Sequence, residues 1–394
     1  MSRVYASEGE LLVHYDFDTT GPSLVRRASV ALPAFVQAGC RHSTMELLYI
    51  ASSKGGYAAE EPVEEHYLST FRIEHTGALT QVGDALPLPH RPVYIALDRA
   101  SSHVLVAYSD PPAITVHPLE NDGRIGGDPY SPSLEMRHYP HQVVVSPSDD
   151  FVAVCCTGQV IDPEADPSLF RGAIHAFAYD NGRIGTTAST TAPNGGLGFS
   201  PRHLAFHPSL PLAFVSLERQ NELHVYRYDS SGLDPEPLFR TTTLFAGGPS
   251  KGVQYAGTVR MHPSGRFVYV ANRTLGFHEE DGKKLLTTGG DDIAVFEIDP
   301  QSGCPTPLER IDSEGVMPRT IATDPAGDVL VVANQFAVEA FDDEQMKCVP
   351  QSLVLYRIAA DGGLTRAKRY ELEMDQKPMI WMDVLSPRER AAGE

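Results

Sequence analysis

The sequence predicts an all-β fold, a seven-bladed β-propeller closed by N- and C-terminal strands sharing one blade. Three observations predict it: short apolar strands replace long helical periods, one turn pattern recurs along the chain, and the two ends complete one unit together. The recurring turns are Ser146-Pro-Ser-Asp149, His207-Pro-Ser-Leu210, His262-Pro-Ser-Gly265 and Asp324-Pro-Ala-Gly327. Proline suits the first central position of such a turn and glycine the later ones.

A second apolar strand follows each turn: Phe151-Val-Ala-Val154, Ala213-Phe-Val-Ser216, Phe267-Val-Tyr-Val-Ala271 and Val329-Leu-Val-Val-Ala333. A third, alternating strand comes next, as in Ala173–Tyr179, Ile293–Ile298 and Leu353–Ile358. A glycine turn and a weaker fourth strand close the unit, as at Gly182-Arg-Ile-Gly185 and Gly362-Gly-Leu-Thr365. Units start near Pro33, Pro92, Pro140, Pro201, Ala256 and Pro318. A seventh draws its inner strand from Lys377–Val384 and the rest from Val4–Ser7, Leu11–Asp16 and Val25–Val30. Such a join removes free sheet edges. Residues 1–394 read as one propeller domain.

The net charge of −19 argues against nucleic-acid and anionic-membrane partners, which require clustered Lys and Arg. It leaves room for a small anionic substrate, since a few arginines make a local positive pocket. The cysteines are Cys40, Cys155, Cys156, Cys304 and Cys348, an odd count without framework spacing, and read as reduced thiols. With no basic segment leading into an apolar run near Met1 and no stretch long enough to span a membrane, a cytoplasmic location is expected.

Four expanded segments, Lys54–His66, Gly158–Arg171, Leu275–Gly290 and Phe336–Gln351, each fall between the second and third strand of a unit. In an up-and-down blade that loop shares a face with the start of the first strand. All four therefore decorate one face, where binding sites are usually built. The same face receives His141, Arg202 and Arg319 at first-strand starts, and Glu218 and Arg273 at second-strand ends. First strands line the central channel, so these five converge at its mouth. Three arginines, a carboxylate and an imidazole suit anion binding with acid/base chemistry. His42 and His90 are further candidates to reach this rim.

The sequence at this point resembles the lactonase family of seven-bladed propellers, which includes 6-phosphogluconolactonases and 3-carboxy-cis,cis-muconate cyclases. The resemblance rests on Pro201-Arg-His-Leu-Ala-Phe-His-Pro208 with Glu218, on His141-Gln-Val-Val-Val-Ser-Pro147, on Met261–Thr274 and on Pro318–Pro325. It implies that His141, Glu218, Arg202 and Arg273 form the catalytic set; Arg319, His42 and His90, from their place at the rim, are read as substrate-binding. It implies no cofactor and no metal. Where members often carry an acidic residue before the Met-His-Pro-like turn, this chain has Thr258, with Arg260 two residues on.

The implied activity is hydrolysis of an anionic sugar-acid lactone, with His141 or Glu218 activating water and Arg202 or Arg273 holding the oxyanion. A lactonising cycloisomerase acting on a diacid uses the same groups. A non-enzymatic propeller binding a partner on its rim instead predicts an apolar or aromatic upper surface. His203 and His207 are read as hydrogen-bonding within their blade, and His278-Glu-Glu-Asp281 as a solvated acidic loop. Gly195-Gly-Leu-Gly198 precedes no helix, which argues against a nucleotide loop, and Asn272-Arg-Thr274 is a chance glycosylation match.

Overall fold

Strand alternation and turn chemistry produce seven antiparallel sheets arranged as blades, numbered here in chain order. The computed structural model describes residues 2–54, 65–158, 170–245, 252–275, 277–280, 283–287, 289–342, 345–372 and 377–387. Inner strands are Phe35–Arg41 in blade 1, Pro92–Leu97 in blade 2 and Pro140–Val145 in blade 3. They are Pro201–Phe206 in blade 4, Val253–Met261 in blade 5, Pro318–Thr323 in blade 6 and Met382–Leu385 in blade 7. Blade 2 departs from the expected four strands: its sheet has three, and beyond its outer strand there are isolated bridges, Val116 to Tyr130 and Leu119 to Ile125.

Both chain ends build blade 7. Met382–Leu385 pairs with Ser2–Glu8, so Val4 lies opposite Val384. The inner strand is shorter than the expected Lys377–Val384 because the preceding amides bond elsewhere. Met379 donates to the Gln335 carbonyl, and Ile380 and Trp381 both donate to Ser7 Oγ.

The core lies between blades rather than within them, since each sheet is apolar on both faces. Leu212, Phe214 and Val225 of blade 4 pack with Val268, Val270 and Phe296 of blade 5. Each such side chain contributes roughly 1.5–3 kcal/mol by leaving water. At the turn end, imidazoles stitch neighbours together. His207 Nδ1 accepts from the Ser209 and Leu210 amides, so its Nε2 donates to the Gly265 carbonyl of blade 5 at 3.1 Å. His262 makes the equivalent contact with the Gly327 carbonyl of blade 6 at 2.9 Å. The within-blade expectation for His207 thus holds for one nitrogen only.

Two of the expanded segments meet in an eighth sheet. Phe277–Glu280 and Lys283–Thr287, inserted in blade 5, join Val338–Asp342 and Gln345–Val349, inserted in blade 6. The central pair is parallel, with Leu286 opposite Ala340. The backbone of His278–Glu280 is thus in a strand rather than a loop, and Asp281 lies outside the described residues. So do residues 55–64 and 159–169, most of the other two segments.

Candidate active site

The residues at the channel mouth are aimed there by a repeated irregularity of the inner strands. In blade 3, Pro140 pairs with Cys156 and Gln142 with Cys155, leaving His141 as the extra residue of a β-bulge. Arg202 is the extra residue in blade 4, Arg319 in blade 6 and Gln37 in blade 1. A bulge re-aims the side chain that its ladder skips, and bulges concentrate beside active sites. His141, Arg202, Arg319 and Gln37 all line one central cavity of about 500 Å³.

Glu218 follows the second strand of blade 4, Leu212–Leu217, and is fixed through its backbone. Its amide donates to Ser200, and its carbonyl accepts from Ala256 of blade 5. The carboxylate then meets both neighbouring cations: Oε1 lies 2.5 Å from Arg273 Nη2 and 3.2 Å from Arg202 Nε. Gly257 makes room for this, because a Cβ there would stand 3.1 Å from Arg273 Nε and 2.9 Å from the Ala271 carbonyl. Burial pushes the Glu218 carboxyl up, but Arg273 and Arg202 outweigh it and hold it below the usual range. Glu218 is therefore a carboxylate at neutral pH.

His141 has the opposite balance. Burial first, then Arg202, His203, Arg319 and Arg273, hold its imidazole well below its ordinary pKa, so it is neutral. Its Nδ1 is buried and makes no hydrogen bond. His203 makes its expected hydrogen bond within the blade, to Arg202, and also lines the channel. Its ring lies 5.0 Å from that of His141, and both its nitrogens are 3.4 Å from Arg202 Nη1. Gln142 joins the inner strands of blades 3 and 4, accepting from the Leu204 amide at 2.6 Å and approaching Tyr94 at 3.3 Å.

Thr258 has a definite place. Its hydroxyl donates to the Arg319 carbonyl at 2.7 Å, tethering the Arg319 bulge to blade 5. Further along the channel wall, Arg260 Nη2 faces Asp383 Oδ1 at 3.8 Å, and Trp381 lies against Gly39. Arg91, just before the inner strand of blade 2, donates to Gln37 at 3.0 Å.

Five of the seven residues singled out from sequence occupy the mouth region: His141, Arg202, Glu218, Arg273 and Arg319. His42 does not join them. It sits in the hairpin after Phe35–Arg41, at the far end of the blade, where Nδ1 accepts from the Thr44 and Met45 amides. His90 stands two residues before the inner strand of blade 2, at the mouth end of its blade, with its ring edge-on against Tyr108 at 5.7 Å. Sequence reading missed Gln37, Tyr94, His203, Trp381 and Asp383. A clue for Gln37 was available, since its place in blade 1 corresponds to that of Arg202 in blade 4.

The family model for lactonases with a seven-bladed β-propeller matches residues 4–341. The chain belongs to this family. A 6-phosphogluconolactonase of Bacillus subtilis is similar, 26% identical over 294 residues that make up 73% of this chain and 76% of that one. A 6-phosphogluconolactonase of Pectobacterium atrosepticum is 24% identical, covering 73% of this chain and 78% of the relative. Among solved structures, a periplasmic gluconolactonase of Pseudomonas aeruginosa superposes with a TM-score of 0.73 at 20% identity, covering 98% of this chain and 99% of that one. It shares the lactonase fold. No cluster of three or more His, Cys, Asp or Glu suited to a metal occurs among the described residues.

Proposed function

We propose that this lactonase-family chain hydrolyses an anionic sugar-acid lactone, with 6-phosphogluconolactone the foremost candidate. One observation carries the reading. Arg202 and Arg273 share the Glu218 carboxylate beside a neutral imidazole, and Arg319 lines the same channel in an otherwise acidic chain. The names of the curated relatives support the same substrate class.

In the proposed mechanism a water attacks the lactone carbonyl while His141 accepts its proton. Arg202 and Arg273 stabilise the oxyanion. As the ring C–O bond breaks, the imidazolium returns the proton to the leaving alkoxide, giving the hydroxy acid. Glu218 holds the two guanidiniums in place, and Arg319 binds the substrate's phosphate or carboxylate. The depressed basicity of His141 fits this order. Part of the depression comes from the arginines, so an anionic substrate that offsets their charge strengthens the base on arrival.

No observation favours cyclisation over hydrolysis. A partner-binding propeller fits less well, because the large hydrophobic residues exposed among the described residues are Val25, Val253, Leu275 and Leu308, none aromatic. A reducing, cytoplasmic setting is supported by the five cysteines, none of which forms a disulfide. The test is a hydrolysis assay over 6-phosphogluconolactone, unphosphorylated aldonolactones and a muconolactone, corrected for spontaneous opening. His141→Ala is expected to lose roughly a hundred- to ten-thousand-fold in rate. Full activity in that variant removes His141 as the base, and no turnover on any lactone removes the hydrolase reading.

A further inference from the structure

The chain re-enters blade 5 from the eighth sheet through Asp291, one residue before the third strand Asp292–Ile298. Asp291 is 5% exposed, and Oδ1 accepts from two backbone amides, Thr274 at 3.0 Å and Met317 at 3.1 Å. Thr274 directly follows Arg273, and Met317 precedes Arg319 by two residues. One oxygen therefore fastens both arginine-bearing segments together, across the junction of blades 5 and 6. The backbone of Asp291 adds a third tie, its carbonyl accepting from Ser313 at 2.9 Å.

The grip has something to hold. Met317 adopts φ 58°, a left-handed conformation that costs a residue with a side chain about 1–3 kcal/mol and persists only where its surroundings impose it. The adjacent carboxylate shows what an ordinary structural aspartate does here. Asp292 spends one oxygen on Asn272 and the other on Arg310. Among the described residues Asp291 has no such cation, and its Oδ2 is buried without a hydrogen-bond partner there.

We propose that Asp291 is a positioning residue that sets the spacing of Arg273 and Arg319, and through it the affinity of the channel mouth for anions. This rests on the reading of that mouth as an anion site. Burial, opposed by the Thr274 and Met317 amides and reinforced by Asp292 and Asp312, pushes the Asp291 carboxyl up to about 7. Above that pH the ionised oxygen grips both amides. Below it the neutral acid is a weaker acceptor, and anion affinity falls.

Sulfate is the ligand for the test, because its charge is constant over this range. Trp381, the lone tryptophan, lines the same cavity and reports binding by fluorescence. At pH 8, Asp291→Ala is expected to weaken sulfate about tenfold, while Asp291→Asn, which keeps an acceptor, stays within about threefold. In an Arg319→Ala background the alanine change should matter less than about twofold, since the effect acts through that arginine. Wild-type affinity should fall as pH drops through about 7, and Asp291→Asn should abolish that step. Protonation of His141 or His203 would shift affinity the other way. Equal losses in both backgrounds, or no loss while sulfate still binds, overturn the proposal. If wild type binds no sulfate and opens no lactone, the anion-site reading fails instead. Amide exchange then decides, and unchanged exchange at Thr274 and Met317 in Asp291→Ala refutes the grip.

Discussion

The two ends of the same inner strands are built on different terms. At the turn end, His207 and His262 use both ring nitrogens, one within the turn and one on the next blade's carbonyl. At the mouth end, His141 leaves Nδ1 buried without a partner, and guanidiniums outnumber the carboxylate they share. The repeat supplies one strand pattern, and closed hydrogen bonding at one end shows what the scaffold needs for itself. An open imidazole valence and two guanidiniums on one carboxylate at the other end are not scaffold requirements, and they mark the site.

Removing the shared counter-charge tests this contrast most severely. Glu218→Ala leaves Arg202 and Arg273 buried side by side without the carboxylate they share, and breaking a buried pair in this way costs about 3–5 kcal/mol. Urea unfolding is expected to show that loss, and added sulfate should recover part of it by taking the place of the carboxylate. A Glu218→Ala protein as stable as wild type, with or without sulfate, means that the arginines do not depend on Glu218.

The turn end should respond in the opposite sense. His262→Ala removes a bond to the Gly327 carbonyl and strands that acceptor, a loss of about 1–3 kcal/mol. Turnover per folded molecule is expected to stay at the wild-type value, measured in the same lactone assay. Turnover lost without a change in stability would erase the distinction between the two ends.

How much of this was legible beforehand follows from what each feature depends on. The blades were readable because turns such as His262-Pro-Ser-Gly265 are local. Five mouth residues were readable because strand order alone places first-strand starts and second-strand ends on one face. The bulges were not, since whether Arg202 or His203 is skipped depends on pairing with Leu217 and Ser216. His42 was misplaced for a related reason: its turn chemistry, caps on the Thr44 and Met45 amides, assigns it to the far end of the strand. The parallel pairing of Leu286 with Ala340 joins segments from different blades, and no local pattern announces it. Asp291 was hidden similarly, because its partners Thr274 and Met317 are distant in sequence and bind through backbone amides.

The smallest expected effect sharpens the comparison through pH. Both His141 and His207 are held below the ordinary histidine value, His141 well below it and first by burial, His207 by burial with the Gly265 bond pulling upward. A histidine depressed in the folded state stays neutral while the unfolded chain takes up a proton, so stability is present above about pH 6.5 and is lost as pH falls below it. Each fully depressed group contributes at most about 1.4 kcal/mol per pH unit to that fall. His141→Gln should therefore flatten the decline between pH 6.5 and 5 more than His207→Gln does, read from urea midpoints at several pH values. Sulfate separates the two further. Neutralising the arginines raises the folded-state pKa of His141 and shrinks its share of the slope, whereas His207, at the far end of the blade, keeps its own. A sulfate effect that survives His141→Gln and His203→Gln together would place the anion somewhere other than the channel mouth.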